Sequence, residues 1–266
     1  MKALLLVFLS IFLPFNAFSQ QMLSRIIDTD AGHASVTITP SGHVIVFDAG
    51  RYSYADHILN QISQFSPDKK IDLLILSHTD GDHVGAVPEI MSAFTVSKVL
   101  RLGWPRCIEP VSKRQSCPWF FANKAIAESV QENGTEDINL FKQNKSMIGE
   151  EFIFGDVSIR ILSGFPQPPE SWGIPTSNAD WKNAGSIVVR FEYSGKSILF
   201  TGDTWGRNRN IPYGGAEKFM VDNSDTFTLK SDVIIAPHHG ADDGSSSLFL
   251  SEVSPTWVIF PAGGEL

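Results

Sequence analysis

The chain has 266 residues, 42% hydrophobic and 19% charged, with 21 Gly and 15 Pro, a globular composition that excludes a disordered or collagen-like protein. Lys+Arg 21 against Asp+Glu 29 gives a net charge of −8, so no global positive field draws the protein to nucleic acid or anionic lipid. The 2 cysteines exclude a disulfide-dense scaffold, and the fold must rest on its hydrophobic core.

Residues 1–19 read as a signal peptide: Lys2, an apolar run from Ala3 to Phe15 broken by Pro14, then the small residues Ala17 and Ser19. The run is shorter than the ~20 residues a spanning helix needs, so no stable membrane span is expected after cleavage. The mature chain, 20–266, is then secreted or periplasmic. VTITPSGHVIVFDAG alternates apolar and polar residues around Pro40-Ser41-Gly42, which predicts a β-hairpin. Tyr54 to Phe65 has helical spacing, and IDLLIL at 71–76 reads as a strand covered on both faces. A helix over 84–94, a strand over 96–100 and a helix over 119–132 follow.

Between them, 103–118 reads as a loop insertion. Export places its Cys107 and Cys117 in an oxidising compartment, which predicts a disulfide closing a surface loop; free buried thiols are the alternative. Residues 152–162 and 186–203 read as hairpins, the latter turning at Ser194-Gly195. The Pro-, Gly- and Trp-rich stretch 164–183 between them reads as a loop at a pocket rim. VIIAP (233–237), a helix over 245–252 and TWVIF (256–260) complete a β-α-β pattern. With no low-complexity linker, these elements form one domain of two similar halves.

The chemistry concentrates where strands end. IDLLIL runs into Ser77-His78-Thr79-Asp80-Gly81-Asp82-His83, with potential metal ligands at positions 78, 80, 82 and 83. Without cations, Asp80 and Asp82 would repel each other, and a divalent metal removes that conflict. Thr201-Gly202-Asp203 ends another predicted strand and His238-His239-Gly240 a third. Side chains at the C-terminal ends of neighbouring strands can meet at one point.

VIVFDAG (44–50), LSHTDGDHVGA (76–86), ILFTGD (198–203) and APHHGADDGSSSLFL (236–250) together resemble the metallo-β-lactamase-fold hydrolases. In particular, they resemble the branch that includes the β-lactamase-like domain of the DNA-uptake protein ComEC. The resemblance covers roughly 22–262 and implies an α/β fold, an αββα four-layer sandwich with a binuclear metal site at one sheet edge. It implies His78 and Asp80 on one metal, Asp82 and His83 on the other, and Asp203 bridging. His238 or His239 completes the second site, His238 being slightly favoured. Asp48 would orient a ligand imidazole, with capping of the Asp48-Ala49-Gly50 turn as the alternative.

Most members carry HxHxDH where Asp80 stands here, and many supply a further His from mid-chain. None of the 7 histidines here lies between 84 and 237. The harder ligand set shifts preference from Zn²⁺ towards Mn²⁺, so the expected cofactors are two divalent ions, Zn or Mn. Relatives of that branch also continue past the last predicted strand with another His, which implies a clipped or incomplete C-terminus here.

The implied reaction is hydrolysis by metal-activated hydroxide, with Asp203 bridging and Asp82 as a proton shuttle. Phosphodiester bonds of nucleic acid or nucleotide are the first substrate class. Lactam, lactone or thioester hydrolysis by the same hydroxide is the alternative, and a catalytically silent binding module is the non-enzymatic one. Arg207 and Arg209, after the bridging Asp, are candidate phosphate contacts, and Trp205 with Trp172 and Trp181 are candidates to line the mouth. With no extended basic surface, the expected partner is a small hydrolysable substrate. His33 lies in a turn that approaches the site but outside the ligand set.

Overall fold

The computed structural model describes residues 21–107, 112–174, 179–207 and 213–262. The predicted signal peptide and Arg209 lie outside the described residues.

In chain order the first half runs β1 (Leu23–Ile26), β2 (Ala34–Ile38), β3 (Val44–Ala49), α1 (Ala55–Phe65), β4 (Lys70–Ile71), β5 (Leu73–Leu76), α2 (Gly81–Val84) and α3 (Val87–Ala93). It continues through β6 (Thr95–Val96), β7 (Lys98–Arg101), α4 (Pro118–Asn133), β8 (Glu136–Asn139) and α5 (Leu140–Gln143). The second half holds β9 (Glu151–Phe154), β10 (Val157–Ser163), α6 (Ala179–Ala184), β11 (Val188–Tyr193) and β12 (Lys196–Phe200). It ends with α7 (Gly215–Asp222), β13 (Val233–Ile235), α8 (Ser247–Val253) and β14 (Trp257–Ile259).

These strands build one sheet in the order β1-β2-β3-β5-β7-β8 and a second in the order β14-β13-β12-β11-β10-β9. The period-two alternation of side chains fixes how the sheets stack. In β3 and β5, Val46 and Leu74 point to one face and pack with Ile58, Ile62, Ile90 and Ile126 of α1, α3 and α4. Their neighbours Ile45, Phe47, Leu73 and Ile75 point the other way and meet Ile159, Val189, Phe191 and Phe200 of the second sheet. Leu162, Val188 and Leu199 leave that sheet on its far face and pack with Met220, Phe249 and Val253 of α7 and α8. The result is helix, sheet, sheet, helix. Each fully buried Leu, Ile or Phe in these layers contributes about 1.5–3 kcal/mol, so the strand pattern alone holds the layers in register.

The turn at Ser194-Gly195 has φ 51° and 73°, the left-handed pair a two-residue hairpin demands. The stretch expected as a loop over 164–183 contains the start of α6, and β8 and α7 are further elements the sequence reading did not include. Both α7 and β8 mix charged with apolar residues, so neither stands out as an apolar run. Cys107 and Cys117 are disulfide-bonded, with Cα atoms 6.5 Å apart. Arg114, within the closed loop, holds it down by pairing with Glu89 and donating to the Gly85 carbonyl. Among the described residues no helix is long and apolar enough to cross a membrane.

Candidate metal centre

β3 and β5 pair in parallel, as do β12 and β13. Their C-terminal ends therefore open on the same edge, where Asp48 closes β3, Ser77 to His83 follow β5, Asp203 follows β12, and His238 and His239 follow β13. Close approach of the backbone is built in. A Cβ on Gly85 would run into backbone atoms of Tyr52, Gly81 and Gly50, so only glycine lets α2 sit against the turn after β3. Asp48, His238 and His239 occupy the left-handed region at φ 57°, 47° and 55°. Such conformations cost on the order of 1–3 kcal/mol each and persist where the surroundings over-determine them. Here they turn a carboxylate and two imidazoles into one space.

Asp203 sits at the middle. Its Oδ1 lies 3.1 Å from His83 Nε2 and 3.6 Å from His239 Nε2. Its Oδ2 lies 3.6 Å from His78 Nε2 and 3.9 Å from His238 Nε2. Asp82 Oδ2 lies 3.7 Å from His239 Nε2. Each imidazole is anchored through its other nitrogen. His83 Nδ1 is 2.8 Å from Asp48 Oδ2, His238 Nδ1 2.8 Å from Asp243 Oδ1, and His239 Nδ1 2.9 Å from the Pro261 carbonyl. His78 Nδ1 is 3.0 Å from Ser77 Oγ, which donates to Asp48 Oδ2 at 2.7 Å. Acceptors at Nδ1 place the proton there and leave each Nε2 lone pair facing the cluster.

Electrostatics follow from that convergence. Burial pushes His78 down to about 4, and neighbouring His83 adds to the effect. Burial opposes charge on His83 too, but Asp203 and Asp48 outweigh it and hold the imidazole well above its ordinary range. Asp203 stays ionised despite its burial, because His83 and His78 face it. Asp82 is held down at about 2 against burial by His239 and His83. Burial lowers His33, which stacks on Phe200 and has Nδ1 3.5 Å from Asp48 Oδ2.

These donors fit a metal. His78, His83 and Asp203 each offer an atom within 4.8 Å of the others, as do Asp82, His83 and His239. His78 Nε2 is buried without a hydrogen-bond partner, and buried polar atoms in folded proteins are almost always satisfied. His83 Nε2 and His239 Nε2 face each other at 3.3 Å, so both nitrogens open on the same point.

The structure therefore brings together His78, Asp82, His83, Asp203, His238 and His239, with Asp48 behind His83. Asp80 does not join them: its carboxylate pairs with Arg106. His239 stands beside Asp82 and His83, while His238 faces the other oxygen of Asp203, 3.5 Å from Asn183 Nδ2. Trp205 is corrected as a mouth residue. It is 1% exposed and packs with Ile174, Trp181 and Ala184 beneath the loops, so it presents no free face to a substrate. Arg207 lies in the field of the buried Glu217 carboxylate, and its amide donates to the Asp243 carbonyl at 2.9 Å. Asp243, Asn183, Ser77 and Arg106 were missed. Only Asp243 left a trace, as a carboxylate close after His238.

A four-layer αββα arrangement with a His/Asp cluster at the carboxyl edge of its parallel strands is that of the metallo-β-lactamase fold. Residues 28–106, which contain Asp48 and the whole β5 motif, match the family model described as "Metallo-beta-lactamase superfamily". It is 26% identical over 196 residues to ComE operon protein 3 of Bacillus subtilis (strain 168), a match covering 73% of this chain and 20% of that protein. The chain thus spans about a fifth of that relative's length. Among solved structures it resembles the metallo-β-lactamase fold protein YhfI from Bacillus subtilis, with TM-score 0.53 and 13% identity over 92% of this chain and 88% of that one. CmlA, a diiron β-hydroxylase from Streptomyces venezuelae, superposes with TM-score 0.50 and 12% identity over 90% of this chain and 44% of its own. At these identities the structural likeness concerns the fold alone.

Proposed function

We propose that the chain is an exported metal-dependent hydrolase acting on phosphodiester bonds of a nucleotide or a short nucleic acid. The observation that carries the hydrolase reading is the set of four imidazoles anchored at Nδ1 and aimed by Nε2 at the two oxygens of one buried carboxylate. Asp203 divides them into two groups, which supports a binuclear centre with Asp203 shared between the metals. His83, His239 and Asp82 would hold one ion, and His78 with Asp80 and His238 the other. The Asp in place of a second His favours Mn²⁺ or Zn²⁺. Bound there, divalent metal supplies a water acidic enough to ionise near neutral pH and positive charge against a developing oxyanion.

The chain's own residues do the rest. Asp48 and the Pro261 carbonyl hold His83 and His239 in the tautomer that leaves Nε2 free. Asp82 is partly exposed at the edge of the cluster, where its Oδ2 can take a proton and pass it to solvent or to the leaving group. The resemblance to the ComEC branch supports phosphodiester chemistry over acyl transfer. The signal-like first residues and the Cys107–Cys117 disulfide support export to the periplasm or medium.

The test begins with the purified chain and its metal content by mass spectrometry after gel filtration. Hydrolysis panels in Mn²⁺ and in Zn²⁺ then compare bis(4-nitrophenyl) phosphate with lactam, lactone and thioester substrates. Turnover of the acyl substrates with none of the phosphodiester overturns the substrate assignment. Absence of bound metal after loading, with no turnover of any substrate, turns the reading to a silent binding module.

A further inference from the structure

Beside the metal centre lies a cavity of about 350 Å³ whose walls include Arg51, Tyr52, Asp80, Asp82, Arg106 and Gln115. Arg106 is held from both sides. Its neighbour Cys107 is tied to Cys117, and Trp104, two residues earlier, packs edge-on against Trp181 with ring centroids 4.6 Å apart. Trp181 precedes Lys182 in α6, so this aromatic contact brings the Arg106 loop and the Lys182 helix together. Lys182 is half-buried and forms no ion pair among the described residues. Burial and the adjacent Arg106 both push its ammonium below the ordinary lysine range.

Arg106 has the Asp80 carboxylate as its counter-charge, while Lys182, close enough to Arg106 to feel its charge, has no ion-pair partner among the described residues. That carboxylate is also the one the first metal would take. Once Asp80 serves a metal, the guanidinium loses its partner while keeping its place on the cavity wall. A planar guanidinium pairs two oxygens of a tetrahedral anion at once, and an ammonium adds a point charge at its side.

We propose that Arg106 and Lys182 form the subsite for a phosphoryl group of the substrate, with Arg106 exchanging Asp80 for the incoming phosphate. The assignment rests on the phosphodiester reading and names the residues that select its anionic substrate. It also makes the disulfide loop part of substrate recognition, since Cys107 fixes the position of Arg106. Metal at Asp80 and phosphate at Arg106 then favour each other, each removing the other's competitor.

The experiment titrates inorganic phosphate, and acetate in parallel, into the Mn²⁺-supplemented full chain by calorimetry, for wild type, R106Q, R106K and K182Q. Phosphate binding is expected to weaken about tenfold in R106Q, with a smaller loss in K182Q and partial retention in R106K, reflecting the loss of charge-assisted contacts. Melting curves confirm that each variant is folded, and K182Q tests the site independently if R106Q is not. Wild-type phosphate affinity in both glutamine variants overturns the proposal, and so does tighter binding of acetate than of phosphate. A bis(4-nitrophenyl) phosphate assay on the same proteins separates the two readings. Weakened phosphate binding in the variants, with no turnover by wild type, leaves the anion subsite standing and removes the phosphodiesterase. Turnover with unchanged KM in R106Q and K182Q does the reverse.

Discussion

On the Oδ1 side of Asp203, His83 and His239 approach to 3.1 and 3.6 Å with Asp82 beside them, whereas on the Oδ2 side His78 and His238 stand at 3.6 and 3.9 Å and Asp80 has turned to Arg106. The supports differ in the same sense. His83 leans on the buried Asp48, whose second oxygen, Oδ1, is already taken by the Ser77 amide at 2.7 Å. His238 leans on Asp243, a partly exposed carboxylate on a turn. A motif that reads as symmetric, with an Asp in each half of His78-Thr79-Asp80-Gly81-Asp82-His83, is thus built asymmetrically. The Oδ1 side is preorganised, and the Oδ2 side must give up an ion pair before it can bind. Metal is expected to enter the Oδ1 side first and to be held there more tightly.

Removing the shared carboxylate breaks the comparison altogether. On the proposed binuclear reading, Asp203→Asn is expected to lose both metals after gel filtration and to lower hydrolysis on the order of 10³-fold, since the charge that would hold the pair together is gone. Full metal content in this variant would show that Asp203 is not shared. Next in size, Asp48→Asn is expected to weaken metal on the Oδ1 side by about 10–100-fold, the usual effect of removing a partner that orients a ligand imidazole. Competition with a calibrated chelator measures it.

Asp80→Asn sharpens the asymmetry. It is expected to lower the metal content to a single ion per chain while the tight ion stays, whereas Asp82→Asn should weaken the tight ion itself. Equal effects of the two substitutions would mean that the two sides do not differ. Asp243→Asn is expected to act only on the Oδ2 side, near the low end of the ~10–100-fold range, because His238 is more open to water.

How much of this was legible depends on the distance over which each feature is decided. The ligand run after β5 was legible because it is continuous and ends an apolar strand. The layered α/β order was legible because continuous apolar runs such as 71–76 read as strands covered on both faces, and the four-layer arrangement came from the resemblance. Asp48 was suggested by the resemblance as a carboxylate that orients an unspecified imidazole, and its Oδ2 lies 2.8 Å from His83 Nδ1. The roles of His238 and His239 were not legible. They depend on two successive left-handed residues that send adjacent imidazoles to opposite sides of Asp203. The pairing of Asp80 with Arg106 depends on a loop 26 residues downstream being pinned by a disulfide and a Trp pair, and nothing local to Asp80 signals it. Trp205 misled because an aromatic in a Gly-rich loop reads alike whether it lines a mouth or fills the space beneath one.

The smallest expected effect concerns the scaffold of the Oδ2 side. Glu217 is buried on α7 and accepts the Ser245 and Ser246 amides at 2.6 and 2.8 Å, just past the turn that carries Asp243. A Cβ on Gly206 would run into this carboxylate, so the loop after Asp203 is packed on it as well. Burial pushes Glu217 above its ordinary 4.5, although the Ser246 and Ser245 contacts and Arg207 pull the other way. A carboxyl raised in the folded state binds its proton more tightly there than in the unfolded chain. Its contribution is therefore fully present below pH 4.5 and is lost as pH rises through the raised folded value. Asp48, Asp82 and Asp203 shift the opposite way, so the wild-type profile alone does not isolate it. The difference between wild type and Glu217→Gln in metal-free denaturant melts does: relative to wild type, the variant is expected to gain stability as pH rises above 4.5. A difference that stays flat across that window would mean that Glu217 is ionised in the folded protein at no cost, held by the two amides and Arg207, and the Oδ2 scaffold would then be as firmly charged as the Oδ1 side.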